Sequence, residues 1–235
     1  MRKLKTLASP FRRQRGLSIV ELLVGVAVGL IVVAAATMMV STQLADNRRL
    51  LLETQLQQDL RATADLVSRD LRRAGFWWNA QRRTVAGAAA AAGPLDNPYT
   101  VVLPADKGEV AQAVTYQYAH PNKIDDNLVN DDERLGYRLR SGVIETQLGA
   151  GNWQALTDVG ALKITQFDIT ADTQDVPLAC HLACSPGGTT CPPVQTVRSY
   201  TIDIAGQAVS DAAVKRSVRS HVRLRNDTVV GECRD

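Results

Sequence analysis

Acid is missing from the start of this chain. No Asp or Glu precedes Glu21, while Arg2, Lys3, Lys5, Arg12, Arg13 and Arg15 all do. Charge of either sign is then missing from Leu22 to Ala45. Proline is missing from residue 11 to residue 93, so nothing there removes a backbone donor or forces a kink. Catalytic signatures are missing throughout. There is no G-x-S-x-G, no phosphate-binding glycine loop and no H-E-x-x-H, which removes the commonest hydrolase, nucleotide-binding and zinc-protease patterns. The histidines are only three, His120, His181 and His221, scattered along the chain and outside any recognised acid–nucleophile pattern.

What is present follows from those gaps. A basic leader is joined to an apolar run reaching about Val40, and one carboxylate, Glu21, sits near the start of the run. About 20 apolar residues suffice to cross a bilayer. An ionised Glu in hydrocarbon costs several kcal/mol, ~2.5 or more even on lenient insertion scales, unless it finds a partner. The leader also explains the overall charge. The chain has 27 basic and 24 acidic residues, net +3; removing the six leader bases leaves 21 against 24, net −3. The basic pI therefore belongs to the leader and is no argument for nucleic-acid binding. Its charge holds the leader on the cytoplasmic side, which sends the rest of the chain outward.

The motif Arg15-Gly16-Leu17-Ser18-Ile19-Val20-Glu21, followed by an apolar helix, resembles the class III signal of type IV prepilins and pseudopilins. That resemblance implies a membrane peptidase that cuts between Gly16 and Leu17 and methylates the new amino terminus on Leu17. It implies that Glu21 neutralises the cationic amine of a neighbouring subunit and sets the axial register of stacked helices. The family often has Phe where this chain has Leu17. Two plainer readings compete. A secretory signal peptide would use Ala34-Ala35-Ala36 as its cleavage site, but Glu21 interrupts the apolar core and the amphipathic pattern continues past Ala36. A simple uncleaved anchor needs only the length.

From Leu17 to about Ala74 the sequence predicts one long helix. Gly25 and Gly29 lie four apart, a spacing that lets another helix approach closely. Past the membrane, Leu52, Leu56, Leu60, Ala64, Val67, Leu71 and Ala74 recur at threes and fours, an amphipathic stripe. Asp46/Arg49, Arg61/Asp65, Asp65/Arg69 and Asp70/Arg73 are at helical pairing distance and read as a solvated face. Gly75 is the expected stop. The run Leu66-Val67-Ser68-Arg69-Asp70-Leu71-Arg72-Arg73-Ala74-Gly75-Phe76-Trp77 resembles the end of the long helix in the PilW family of minor pilins. The J-type minor pseudopilins of type II secretion share much of its Arg-Asp-Leu-Arg feature. Met38 stands where most major pilins carry a proline.

The expected organisation is a leader at 1–16, a transmembrane half-helix at 17–40, an amphipathic half-helix at 41–75, a loop or linker at 76–98 and a β-rich head at 99–235. The segment 85–94 is Ala/Gly-rich, as a linker would be. β-patterned runs follow at 99–103, 110–118, 137–140, 143–147, 162–170, 197–204 and 218–225. Ser141-Gly142 is placed to make a two-residue hairpin turn. The fold class is α+β: a long N-terminal transmembrane and spine helix packed on a mostly antiparallel β-sheet head, pilin-like.

Three clusters could carry chemistry. The acidic stretch 125–133 offers hard oxygen ligands for calcium, but it lacks EF-hand spacing and a turn glycine, so a solvated loop is expected. Cys180, Cys184, Cys191 and Cys233 are even in number and fall in an oxidising compartment, which favours two disulfides, in any of three connectivities. His181 beside Cys180 suggests zinc, but the spacing matches no zinc pattern. Trp77, Trp78 and Trp153 read as packing residues. The expectation is therefore a non-catalytic minor pilin without cofactor. Its head would be periplasmic and its anchor in the inner membrane, with incorporation in or at the tip of a pilus. Its partners would be other minor pilins, the major pilin, the prepilin peptidase/N-methyltransferase, the assembly platform and membrane lipid. A J-like pseudopilin of type II secretion is the alternative, and a membrane-anchored periplasmic enzyme a more distant one.

Overall fold

The computed structural model describes residues 16, 18–80, 96–120, 123–184, 191–231 and 233. Contacts separate the chain into two compact units, Met1–Arg49 and Leu50–Asp235. Helix α1 is Ile19–Arg73, 55 residues without a break. No proline interrupts it. In the apolar stretch the hydroxyls of Thr37, Ser41 and Thr42 donate to the carbonyls of Ala34, Met38 and Met39, at 2.8–2.9 Å. That back-bonding satisfies these hydroxyls within the helix itself.

The second unit pairs the C-terminal half of α1 with two antiparallel sheets. Sheet A has the order β1 (Val102–Leu103), β3 (Ala113–Gln117), β4 (Arg134–Arg140), β5 (Val143–Leu148), β6 (Trp153–Ala155). Sheet B has the order β10 (Thr228–Val230), β8 (Val194–Ala208), β7 (Leu162–Pro177), β2 (Val110–Ala111), with β9 (Lys215–Arg223) also paired to β8. The long helix followed by antiparallel sheets is the expected α+β, pilin-like architecture. The tie between β4 and β5 is the expected one: Arg140 pairs with Val143, and Ser141 and Gly142 have φ of 53° and 80°. Positive φ at both central residues is what a two-residue turn of matching twist requires.

One core joins both sheets to the helix. Leu56, Leu60, Ala64, Val67 and Leu71 are buried against Val114, Tyr137 and Ile144 of sheet A and Phe167, Ile169, Tyr200, Ile202 and Ile204 of sheet B. These are the residues of the amphipathic stripe. Each large aliphatic buried there contributes about 1.5–3 kcal/mol. The helix stops where expected. Gly75 takes φ +76°, and its N–H donates to Gln117 C=O at 2.8 Å. Asn226 Nδ2 donates to Ala74 C=O and Asn97 Nδ2 to Gly75 C=O, so two distant segments cap the carbonyls the helix leaves open.

Four features differ from expectation. β4 begins at Arg134, three residues earlier than the apolar pattern indicated. β7 and β8 run through Pro177 and from Val194, forming a long two-stranded arm whose outer part is polar. β6 and β10 are extra strands of three residues each. Asp70 does not belong to a solvated face: it accepts from Tyr137 Oη at 2.6 Å and from Tyr116 Oη at 3.4 Å. Arg73 lies instead over the Tyr118 ring, 4.5 Å from its centroid. Of the expected linker, residues 81–95 lie outside the described residues.

Candidate functional site

The site is the N-terminal segment and the apolar surface that follows it. Gly16 and Ser18 precede the helix and are exposed; Leu17, the expected methylated residue, lies outside the described residues. α1 starts at Ile19, and Leu22 N–H already donates to Ser18 C=O at 3.1 Å. Glu21 therefore falls in the first turn, where free N–H groups and the helix dipole favour a carboxylate. It is exposed, and no described side chain of its own chain supplies a counter-charge.

The surface beyond Glu21 is apolar on every face. Ile19, Leu30, Ile31 and Met38 are 65–79 % exposed, and none of the most apolar 18-residue window is buried. The helix is long and apolar enough to cross a membrane. Gly25 and Gly29 have no atom within 4 Å of where a Cβ would stand. Nothing among the described residues packs against those two glycines, and they leave a flat strip one turn apart.

The other clusters turn out to be structural. Cys180 is bonded to Cys233 and Cys184 to Cys191. Cys184–Cys191 joins the two sides of residues 185–190, which lie outside the described residues, and Cys180–Cys233 ties Cys233 to the segment that follows β7, which settles the three open connectivities. Three of these sulfurs, from Cys180, Cys184 and Cys191, lie within 4.8 Å of one another, but all are in disulfides, so no thiolate is left for zinc. In the acidic stretch Asp125, Asp126, Asp132 and Glu133 each bind a donor of the protein itself, while Asp125 Oδ2 is buried with no hydrogen-bond partner among the described residues. Asp125 Oδ1 accepts from Tyr99 Oη at 3.1 Å and from Asn127 N–H at 2.8 Å. Asp126 Oδ1 accepts from Leu128 N–H, and Lys123 pairs with Asp132. Glu133 is buried and accepts from Tyr99 Oη, His120 N–H and Asn130 N–H. Among the described residues no three carboxylates converge as a metal site would need. Trp77 Nε1 donates to Asn127 Oδ1 at 3.1 Å and ties the helix end to this loop, while Trp78 is exposed. Trp153 lies under the Arg138 guanidinium at 4.0 Å.

The residues that sequence reasoning missed are the tyrosines. Burial raises the hydroxyl pKa of Tyr116 and Tyr137, with Asp70 beside them adding to it; Tyr200 is pushed up to about 12 by burial. Tyr200 Oη donates to Pro104 C=O at 2.9 Å. Tyr116 and Tyr137 fall in the expected β runs 110–118 and 137–140, but nothing local marks Asp70 as their partner.

Two family models match this chain. The prokaryotic N-terminal methylation motif matches residues 11–37, the stretch that holds Gly16, Leu17 and Glu21. Prepilin peptidase-dependent protein B matches residues 49–224, from the amphipathic half-helix through β9. The chain belongs to the prepilin peptidase-dependent protein B family. It is a type IV pilin-like protein, and its apolar helix fits a membrane-anchored pilin. The family that matches is thus a prepilin peptidase-dependent one, where the 66–77 run had suggested PilW. No curated protein and no solved structure matches the chain.

Proposed function

We propose that this protein of the prepilin peptidase-dependent protein B family is a minor subunit of a type IV pilus, acting by assembly and not by catalysis. The observation that supports this reading is the methylation motif set before a helix surface that the described residues leave uncovered. Apolar area on that scale must be covered by lipid or by other helices. In this reading the peptidase cuts between Gly16 and Leu17 and methylates Leu17. Glu21 then meets the amine of a neighbouring subunit: either charge alone is expensive in hydrocarbon, and together they fix the register of helices that could otherwise slide.

The finer placement follows from the same physics. The six leader bases keep residues 1–16 cytoplasmic, so the head lies in the periplasm of an inner-membrane, single-pass subunit. Two disulfides suit that compartment. The partners are other minor pilins, the major pilin, the peptidase/methyltransferase, the assembly platform and lipid. The Arg69-Asp70-Leu71-Arg72 run keeps a PilW-like role as the finer reading.

Intact-mass and N-terminal analysis of the membrane-extracted protein is the test. It should begin at Leu17 with one added methyl, and a bulky residue in place of Gly16 should leave the leader attached. A mature start at Thr37 would overturn the reading in favour of a secretory peptide. Glu21→Leu should be processed and inserted normally yet be recovered poorly with neighbouring subunits, and piliation should fall. Recovery equal to wild type would leave Glu21 as a mark for the peptidase alone.

A further inference from the structure

Sheet B ends on one side in β9, and β9 has an open edge. Its register sets Arg216, Val218, Ser220 and Val222 opposite Gly206, Ile204, Ile202 and Tyr200 of β8. The flanking bonds fix which pairs exchange hydrogen bonds: Leu224 N–H donates to Arg198 C=O and Ala208 N–H to Val214 C=O, both at 3.0 Å. Bonded and non-bonded pairs alternate along an antiparallel ladder. Arg216, Val218, Ser220 and Val222 therefore direct their backbone groups to β8. Ser217, Arg219, His221 and Arg223 direct theirs outward, and among the described residues nothing pairs with that edge.

An open edge invites pairing, and proteins guard against it with short strands, prolines, bulges or charge. β9 is nine residues long, contains no proline and pairs with β8 without a register shift. Charge is the guard that remains. The strand carries Lys215, Arg216, Arg219 and Arg223 and no acid, against the net −3 of the leaderless chain. Arg216 turns to Glu53 of α1. Arg219 and Arg223 hold Asp203 and Asp227 at 2.6 and 2.7 Å, yet their side chains stay 75 % and 59 % exposed.

We propose that the outer edge of β9 is a docking strand for an acidic β-strand of a neighbouring pilin-like subunit. This rests on the assembly reading above. Pairing of β9 with β9 of a second copy would set cation against cation, which is unfavourable across a strand pair. An acidic strand meets the same row with opposite charge. The backbone edge supplies affinity, and the cations select the partner.

Proline separates this from a purely electrostatic contact. At Ser217 it deletes an outward N–H and leaves the bonds to β8 in place, the position at which edge strands accept proline. The full-length protein is expressed in its own cell. Recovery is scored against those subunits that carry the same N-terminal motif. Ser217→Pro should keep the thermal midpoint of wild type and lose about tenfold or more in recovery; Arg219→Glu should lose recovery as well. Amide exchange should be fast at Ser217, Arg219, His221 and Arg223 in the isolated protein and slow in the complex. Full recovery of folded Ser217→Pro overturns the proposal. Loss with Arg219→Glu alone also overturns it, in favour of a polyanion or an acidic surface without strand pairing. Should Ser217→Pro not fold, exchange on the wild type carries the test, and a formed complex with the four amides still fast overturns the proposal. Glu21→Leu is run beside it. Loss with Glu21→Leu while Ser217→Pro is silent sinks the docking edge and leaves the assembly reading standing; silence of both sinks the docking edge together with the pairing role of Glu21.

Discussion

The two halves of α1 share a backbone geometry and nothing else. From Leu56 to Leu71 one stripe is buried to 3 % exposure or less, and the sheets supply its partners. From Ile19 to Leu51 every described residue is exposed and almost all are uncharged up to Ala45. The C-terminal half is amphipathic in the ordinary sense, apolar inward and polar outward. The N-terminal half is apolar all round, a pattern that calls for a surrounding apolar medium. The difference separates two kinds of surface: the head has its own packed core, and the apolar surface of the N-terminal half is left uncovered by the described residues.

Truncating matched leucines should give the largest contrast. Leu60 has no exposure, so Leu60→Ala should destabilise the head by about 2–5 kcal/mol, as loss of transfer energy plus a cavity. Leu30 is 65 % exposed, and Leu30→Ala should leave thermal unfolding of the head unchanged in detergent. Equal effects from both would break the comparison.

That same contrast governs how much could be read from sequence. The stripe at Leu56, Leu60, Ala64, Val67 and Leu71 was legible because burial imposes a 3.6-residue period. The turn at Ser141-Gly142 was legible because only certain residues accept positive φ. The three-residue strands β6 and β10 were not, since three residues carry no period. The distal parts of β7 and β8 were missed for a different reason. Asp172 to Val176 are largely exposed and are strand only through pairing with β8, an arrangement no local pattern records. The N-terminal motif was legible as chemistry: a carboxylate in an apolar run needs an explanation. Asp70 was misread because its partners, Tyr116 and Tyr137, are 46 and 67 residues away.

Reductant should act on the head alone, with the next largest effect. Cys180–Cys233 closes a separation of 53 residues and Cys184–Cys191 one of 7. In the chain-entropy account the first contributes about 4 kcal/mol and the second about 2.5. The Cys180→Ser/Cys233→Ser double variant should therefore unfold at lower denaturant than Cys184→Ser/Cys191→Ser, by chemical denaturation in detergent. Membrane retention of both should match wild type, because the anchor contains no cysteine.

Alkali should separate the regions too. The tyrosine hydroxyls of the core have raised pKa values, Tyr200 up to about 12, from burial first. In the unfolded chain they ionise near 10. The neutral form is thus favoured by folding: its contribution is complete below pH 10 and is lost as pH rises toward the folded value. Thermal midpoints of the head should fall between about pH 10 and pH 12, and Tyr200→Phe should flatten that fall. An unchanged slope in Tyr200→Phe would remove Tyr200 from the account.

Glycines give the smallest and most specific contrast. Gly136 is packed inside sheet A, where an added Cβ would stand 2.7 Å from Val114 O, a backbone atom that cannot swing away. Gly136→Ala should cost the head about 1–3 kcal/mol, as overpacking does. Gly29 meets nothing within 4 Å, so Gly29→Ala should leave head unfolding unchanged. Within an isolated helix the change should even help, by about 1 kcal/mol of propensity. If the strip at Gly25 and Gly29 is where a neighbour's helix approaches, the added methyls instead hold that helix away. The double variant Gly25→Ala/Gly29→Ala should then show normal processing and a normal head, but weaker recovery with neighbouring subunits. Normal recovery would mean that the two glycines are tolerated by the anchor and not used by it, and the close-approach role would be withdrawn.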